Sequence, residues 1–400
     1  MEGKFDVIVI GAGPSGSCAA SLLAEKGLKV CLLEKDRFPR QKVCGDGISG
    51  QTKKLLEELK IYPEFGGLKR DIYPIKQSIM SSPDGTVMPM DANELDEKSF
   101  GFTCPRDVFD EVLLSFASKK GVLFKEGVRV KGIESIDDRL NAVYADFGGR
   151  NIRFLSSLTI IANGSGSNLA HQVRKRKINS KDIAIGMRTY FEGVDLQHRC
   201  EIHYDKHLLP CYGWLFPISD SIVNVGIAMR VDLLRRSRKS ITSHFYKFIS
   251  ENQFVKLRLH KAKPMAAPSA HIMKLGTGAG QNYGSGFLIV GDAGSFVDPI
   301  NGEGISNALL TGRIAAEVGY KAFEQDNFSK SFLKQYEDRW KEKLAARFRT
   351  AKIMQWLLQR PAFVNFNMSK MSKKSQFNLA TERPDTIWER LKFFYQIMKG

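Results

Sequence analysis

The chain has 400 residues, 43% of them hydrophobic and 26% charged, an ordinary globular balance that suits two or three domains and a core that needs no disulfides. Its 60 Lys and Arg outnumber 43 Asp and Glu, for a net charge of +17. That excess suits an anionic lipid surface, a phosphorylated ligand or nucleic acid, and alone selects none of them.

Residues 5–10 read FDVIVI, an apolar β-branched run expected to be a buried parallel strand. Gly11, Gly13 and Gly16 then complete a GxGxxG with Pro14 and Ser15 inside it. Gly11 permits the tight turn, Gly13 lets backbone approach a pyrophosphate, and Gly16 lets the next helix lie close to the strand. Residues 17–26 are expected as that helix, its N-terminus offering free N–H groups to phosphates. A second strand is expected over 28–33, ending at Glu34, which can accept hydrogen bonds from ribose hydroxyls. Lys35 and Arg40 just beyond are further cofactor candidates. Strand, glycines, helix, strand and acid in this order point to a bound dinucleotide far better than a lone GxGxxG does.

Residues 42–49 read KVCGDGIS, which resembles a segment of the geranylgeranyl reductase family, and the resemblance implies that Cys44 and Gly45 lie beside the cofactor, Cys44 also as a functional thiol. Arg106 opens a helix with the pattern RxxFDxxL and is either a cofactor ligand or a solvated first-turn charge. Residues 158–162 form a strand followed by Asn163. The stretches 61–99 and 181–274 alternate apolar and polar residues and are expected to be antiparallel strands of a substrate domain. Within them Tyr212, Trp214, Phe216 and Pro217 form YGWLFP, followed by Gly226 in GIA. Trp214 and Phe216 share one strand face, so they form either an apolar slot for a substrate or core aromatics. Residues 286–290 are another buried strand, leading into Asp292 and then Pro299, Gly302, Gly304 and Ile305 in DPINGEGI. An acid at a strand end can hold a polyol chain, and a glycine-flanked helix start brings backbone to a carbonyl-rich ring. A second such element nearly 300 residues from the first suits the long, extended FAD rather than NAD. The remainder, from 331 to 400, is helical in pattern, basic and rich in aromatics, fit to cap the substrate domain or to lie on an anionic bilayer.

GxGxxG early, with GD and DPxxGxGI late, resembles the para-hydroxybenzoate hydroxylase-type FAD superfamily. The resemblance implies that Asp292 binds the ribityl chain, that the Pro299 turn lies along the isoalloxazine, and that Arg106 lies near the flavin or pyrophosphate. Asn163 departs from the superfamily's A-D-G segment. CGDGIS and YxWxFP are similar to the geranylgeranyl reductase family, which implies reduction of polyprenyl double bonds. Ala228 departs from that family's GxG. The implied fold is α/β: a Rossmann-like FAD-binding domain over 1–60, 100–180 and 275–330, a mainly antiparallel α+β substrate domain over 61–99 and 181–274, and a helical region over 331–400. Implied partners are an isoprenoid-type substrate and an electron donor, NADPH or ferredoxin, with an anionic membrane surface as a further one. An aromatic hydroxylase, a halogenase using a lysine such as Lys76, and a non-catalytic flavin- or lipid-binding protein are the alternatives. The WxWxIP signature of halogenases is absent. The basic clusters lack recognition motifs, so nucleic acid is not expected. No run suits a bilayer span, no leader is recognisable, and none of the six cysteines forms a CxxC pair, so neither zinc nor disulfide chemistry is expected and the location expected is cytoplasmic, at most peripheral on the membrane's inner face.

Overall fold

A computed structural model describes residues 3–68, 71–91, 101–137, 140–166, 168–174 and 178–375. The run at 5–10 forms the strand Lys4–Ile10 at the centre of an eight-stranded sheet. Val30–Leu33 and Arg150–Ile161 flank it in parallel, and Leu123–Lys125 and Phe287–Ile289 extend it outward, also in parallel. Because successive side chains alternate, Val7 and Val9 enter one core cluster and Ile8 and Ile10 another. That is why the strand is apolar throughout: both of its faces are covered. Helices Pro14–Glu25 and Ile305–Glu324 cover the Val7 face, and the strands Val128–Ser135 and Asn141–Phe147 form an antiparallel pair at Arg150–Ile161.

A second sheet runs in the order Lys263–Pro264, Ile183–Glu192, Ile222–Arg230, Gly213–Pro217, Arg199–His203, Gln77–Ser81, Val87–Asp91, with Ser269–Lys274 also on Ile183–Glu192. Val223, Val225, Ile227 and Met229 point to a helical layer containing Phe245 and Phe248. The intervening Asn224 and Gly226, like Trp214 and Phe216 on the neighbouring strand, point the other way, toward the first sheet's loops.

The expected antiparallel strands need three corrections. Residues 231–259 are three helices, Val231–Ser237, Ile241–Glu251 and Gln253–Leu259, whose apolar residues recur at helical spacing on the sheet. Gln77–Ser81 pairs in parallel with Arg199–His203. Tyr73–Pro74 instead joins a small separate sheet with Phe102–Thr103 and Gly47–Ile48, and 62–65 is a short 3-10 helix. Part of the 61–99 stretch, residues 69–70 and 92–99, lies outside the described residues.

The long helix Lys330–Leu358 caps mainly the first sheet rather than the substrate sheet. Tyr336, Trp340, Leu344 and Phe348 are buried there, and the Tyr336 hydroxyl donates to the Ile289 carbonyl at 2.9 Å. The last turns of the long helix touch the substrate sheet through Gln355 on Arg230 and through Leu358, and the following helix, Pro361–Ser375, packs Val364 and Met368 against Met88 and Leu209. Ile353 and Trp356 on the long helix are more than half exposed.

Candidate functional site

The GxGxxG turn is built around two close approaches, at Gly11 and Gly16. Gly11 has φ +103°, and a Cβ there would lie 2.5 Å from the Ala162 carbonyl oxygen. A Cβ on Gly16 would fall 1.8 Å from the Gly11 carbonyl oxygen. Gly13 caps the helix N-terminus, where only Arg40 Nη2 lies within 4 Å of its absent Cβ, at 3.7 Å. Arg40 Nη1 is buried and has no hydrogen-bond partner among the described residues. Glu34, buried at the end of its strand, accepts from the Ala12 and Asp36 N–H groups at 2.9 and 3.1 Å. Lys35 instead pairs with Asp36 at a half-exposed position.

Asp292 follows Phe287–Ile289 and accepts from the Ser165 hydroxyl at 3.1 Å, so the segment after Asn163 meets the late motif. Gly304 caps the helix Ile305–Glu324, and a Cβ on it would be 3.2 Å from Asp292 Oδ1. The carboxylate therefore sits at a helix N-terminus, where the dipole favours negative charge. Gly312 lets this helix cross the GxGxxG helix closely, since a Cβ there would be 2.5 Å from the Ser15 carbonyl. The start of the GxGxxG helix thus lies against the late helix about two turns in from that helix's own start.

The loop carrying Cys44 lies on the aromatic strand. Cβ atoms on Gly45 or Gly47 would be 3.3 Å from the Phe216 ring, and on Gly45 equally close to the Trp214 indole nitrogen. Trp214 and Phe216 stand 6.2 Å apart at 35°, and Tyr212 meets Trp214 edge-on at 6.3 Å. The Tyr212 hydroxyl donates to the Asn301 carbonyl, and the hydroxyls of Ser49 and Thr52 donate to Glu303. The aromatic strand, the Cys44 loop and the Pro299 turn are therefore joined. Between strand and turn lies a small cleft lined by Tyr212, Ala228, Met273, Leu275, Pro299 and Gly302. Pro217 closes the aromatic strand. The expectation that Gly226 faces a ligand is corrected: a Cβ there would be 2.2 Å from the Trp214 indole, which fills that space, whereas Ala228 lines the cleft.

Arg106 is buried at the start of Arg106–Lys119, not solvated. It donates twice to Asp110, at 2.9 and 2.8 Å, while Arg40 pairs with the same carboxylate at 3.0 Å. Arg106 also hydrogen-bonds Cys44. Burial pushes the Cys44 thiol above its ordinary range; Arg106 offsets part of that. Sequence reasoning passed over several groups here. The Lys42 ammonium lies 2.9 Å from His271 Nε2, and burial lowers both, the histidine to about 4, so His271 is neutral and accepts. Asp46, within the cysteine motif, is fully buried with φ +61°. Its Oδ2 accepts from the Tyr190 hydroxyl at 2.7 Å and the Asn224 amide at 2.8 Å. The signal for these was Asn224 itself, a polar residue in the apolar strand IVNVGIA. Among the described residues no cluster could hold a metal, and no helix is long and apolar enough to cross a membrane.

Residues 4–310 match the FAD binding domain family. Digeranylgeranylglycerophospholipid reductase of Methanocaldococcus jannaschii is 32% identical over 86% of this chain and 84% of its own. The chain belongs to the geranylgeranyl reductase family of FAD-dependent oxidoreductases. Conditioned medium factor receptor 1 of Dictyostelium discoideum also matches, at 27% identity over 95% of this chain and 76% of its own. The solved structure of a geranylgeranyl bacteriochlorophyll reductase-like protein from Thermoplasma acidophilum superposes with TM-score 0.86 over 99% of this chain and 98% of that one. At 21% identity that likeness shows the fold alone. A myxobacterial chondrochloren halogenase shares the fold more distantly, with TM-score 0.76 at 20% identity. As a geranylgeranyl reductase family member, the chain is a flavoprotein whose cofactor is FAD.

Proposed function

We propose that this protein reduces carbon–carbon double bonds of a polyprenyl lipid of the geranylgeranyl type, with reduced FAD as the hydride source. The observation that carries the reading is the Cys44 loop seated on Trp214 and Phe216 and tied to the Pro299 turn, with an apolar cleft alongside. A flat aromatic wall beside the turn that meets the flavin suits a chain of trisubstituted alkenes, which has no polar group for a site to grip. The curated relative's name, a reductase of digeranylgeranyl glycerophospholipids, supports the same chemistry.

The residues fit FAD. Gly11, Gly13, Pro14, Ser15 and Gly16 fit a pyrophosphate cradle, and Arg40 beside Gly13, paired with Asp110 through Nη2, keeps a buried Nη1 donor with no hydrogen-bond partner among the described residues, free for a phosphate oxygen. Glu34 would take the ribose and Asp292 the ribityl chain, and Pro299, Gly302, Gly304 and Ile305 would line the ring. Arg106 and Cys44 with Gly45 border the same space, and Tyr212, Trp214, Phe216 and Pro217 face the substrate. The bound flavin supplies two electrons and one hydrogen as hydride, and this chain orients the alkene, excludes water and supplies the proton. NADPH or reduced ferredoxin recharges the cofactor.

The substrate is a membrane lipid, and the C-terminal helices suit a membrane surface. Ile353, Trp356 and Phe366 are exposed, with Arg360 over the Trp356 ring at 3.8 Å and Lys370 over Phe366 at 4.7 Å. Residues 343–381 contain Lys and Arg but no Asp or Glu. This face rests on the anionic inner surface of the membrane. The test is anaerobic incubation of the photoreduced holoenzyme with a panel of geranylgeranyl lipids. A gain of two hydrogens per double bond supports the reading. Oxygen-dependent hydroxylation of an aromatic, with no lipid reduced, would overturn it.

A further inference from the structure

Saturating an alkene takes a hydride and a proton, and unactivated alkenes make the proton the difficult half. The structure holds a carboxyl built to keep one. We propose that Asp46 is the proton store of this site, and that it reprotonates the Cys44 thiol after that thiol has given its proton to the substrate carbon. The inference rests on the reductase reading above.

Four observations support it. Asp46 is fully buried and two residues from Cys44, close enough that its backbone N–H and its charge both act on the Cys44 thiol. Its backbone takes the left-handed region, φ +61°, which a non-glycine residue seldom adopts without a local reason. The Cys104 N–H donates to its carbonyl at 2.9 Å and holds that geometry. The carboxyl oxygens are unequal: Oδ2 accepts from Tyr190 and Asn224, whereas Oδ1 is buried with no hydrogen-bond partner among the described residues. A proton on this carboxyl therefore resides on Oδ1 and leaves it a free donor.

The groups facing Asp46 set its behaviour. Tyr190 and Arg188 come from Ile183–Glu192, Asn224 from Ile222–Arg230, Arg106 from Arg106–Lys119, and Cys44 and Cys104 from the flanking loops. Burial pushes the carboxyl up to about 6, against the opposing pull of Tyr190, Arg188, Asn224 and Arg106. It thus gains and loses a proton near neutrality, while the thiol, raised by burial, stays protonated until it reacts. In the step itself the Cys44 S–H bond breaks as a C–H bond forms on the alkene carbon that does not take the hydride. The thiolate left is held by Arg106. The Asp46 O–H bond then breaks and the S–H bond reforms, and the carboxylate recovers its proton from water between turnovers. The same Asn224 that donates to Asp46 also donates to the Cys44 carbonyl at 2.8 Å and accepts from the Trp214 indole at 3.0 Å, so one residue aligns store, thiol and substrate wall.

The test uses the full-length holoenzyme and its D46N and Y190F variants with a geranylgeranyl glycerophospholipid. Asparagine tolerates the left-handed backbone, so D46N keeps the loop. Native turnover should fall about tenfold per pH unit above an inflection near 6. D46N should give one rapid equivalent of reduced lipid and then turn over about a hundredfold or more slowly, without the inflection. Y190F removes a donor to the carboxylate and should move the inflection upward, a shift no purely structural role produces. Infrared difference spectra, independent of turnover, should show a protonated-carboxyl band that titrates in the native protein and is lost in D46N. Native-like steady turnover and pH profile in D46N, or no titrating band, overturns the inference. If the native protein reduces no lipid, the reductase reading fails, and the infrared band still decides whether Asp46 stores a proton.

Discussion

Asp110→Asn probes the electrostatic centre of the site. The Asp110 carboxylate has no exposed surface and serves two buried guanidiniums, taking two bonds from Arg106 and an ion pair from Arg40, all between 2.8 and 3.0 Å. Each charge-assisted bond is worth about 1.5–3 kcal/mol, but the three share one carboxylate and do not add. The better measure is the cost of stranding a buried charge by removing its partner, about 3–5 kcal/mol. Asparagine keeps the shape and one acceptor, yet turns an NH2 donor toward a guanidinium that has only donors. We expect D110N to lose about 3–5 kcal/mol, read from the shift of the denaturant midpoint of the holoprotein at pH 7. The loss should extend to function. Arg106 lowers the Cys44 thiol against the larger effect of burial, so a loosened Arg106 lets that thiol rise further. Alkylation of Cys44 should slow in D110N at pH 8, and FAD should dissociate more readily as Arg40 loses its anchor. A D110N protein within about 1 kcal/mol of native, with unchanged thiol reactivity, would refute the account.

Gly226→Ala places a methyl 2.2 Å from the Trp214 indole and 2.7 Å from the Met187 carbonyl, so about 1–3 kcal/mol of overpacking is expected, with a shifted tryptophan fluorescence spectrum; an unshifted spectrum and midpoint contradict the packing described. The Asp46 carboxyl gives a stability prediction with a definite sign. Its folded value, about 6, exceeds its ordinary value of 3.8, so its contribution is present below 3.8 and lost as pH rises through 6. Relative to D46N, the native protein should lose about 1.4 kcal/mol per pH unit between pH 4 and 6 and then level off, in denaturant titrations across that range. Trp356→Ala combined with Phe366→Ala should reduce cosedimentation with phosphatidylglycerol vesicles at least tenfold, with little change for phosphatidylcholine; equal retention on both lipids removes the proposed membrane face.

The sequence alone was decisive where function is written in local backbone. Gly11 and Gly16 are required by a turn and a close approach of backbone that no Cβ would permit, and the FDVIVI run is apolar because both its faces are covered. The late GD and DPINGEGI segment was legible for the same reason, since a strand end followed by a capped helix has a local signature. The aromatic strand was legible as a face, through its alternation. Register across chains of residues distant in sequence was not legible. Tyr190 and Asn224 are directly paired between antiparallel strands, and only that pairing brings both onto Asp46. The sharing of Asp110 by Arg106 and Arg40 depends on where a loop folds over a helix more than 60 residues away, which no periodicity records. Gly226 looked like a place for ligand and proved to be a place for an indole, because a missing Cβ marks a close approach without naming what approaches. The C-terminal helix likewise showed an apolar stripe without an address, and the first sheet provided the address, with Leu288 and Phe296 packed in one cluster with Tyr336, Trp340 and Phe348. Local conformation and cofactor class are therefore properties of short segments, whereas the proton-holding centre exists only once two strands of the second sheet pair in register and the Cys44 loop folds onto them.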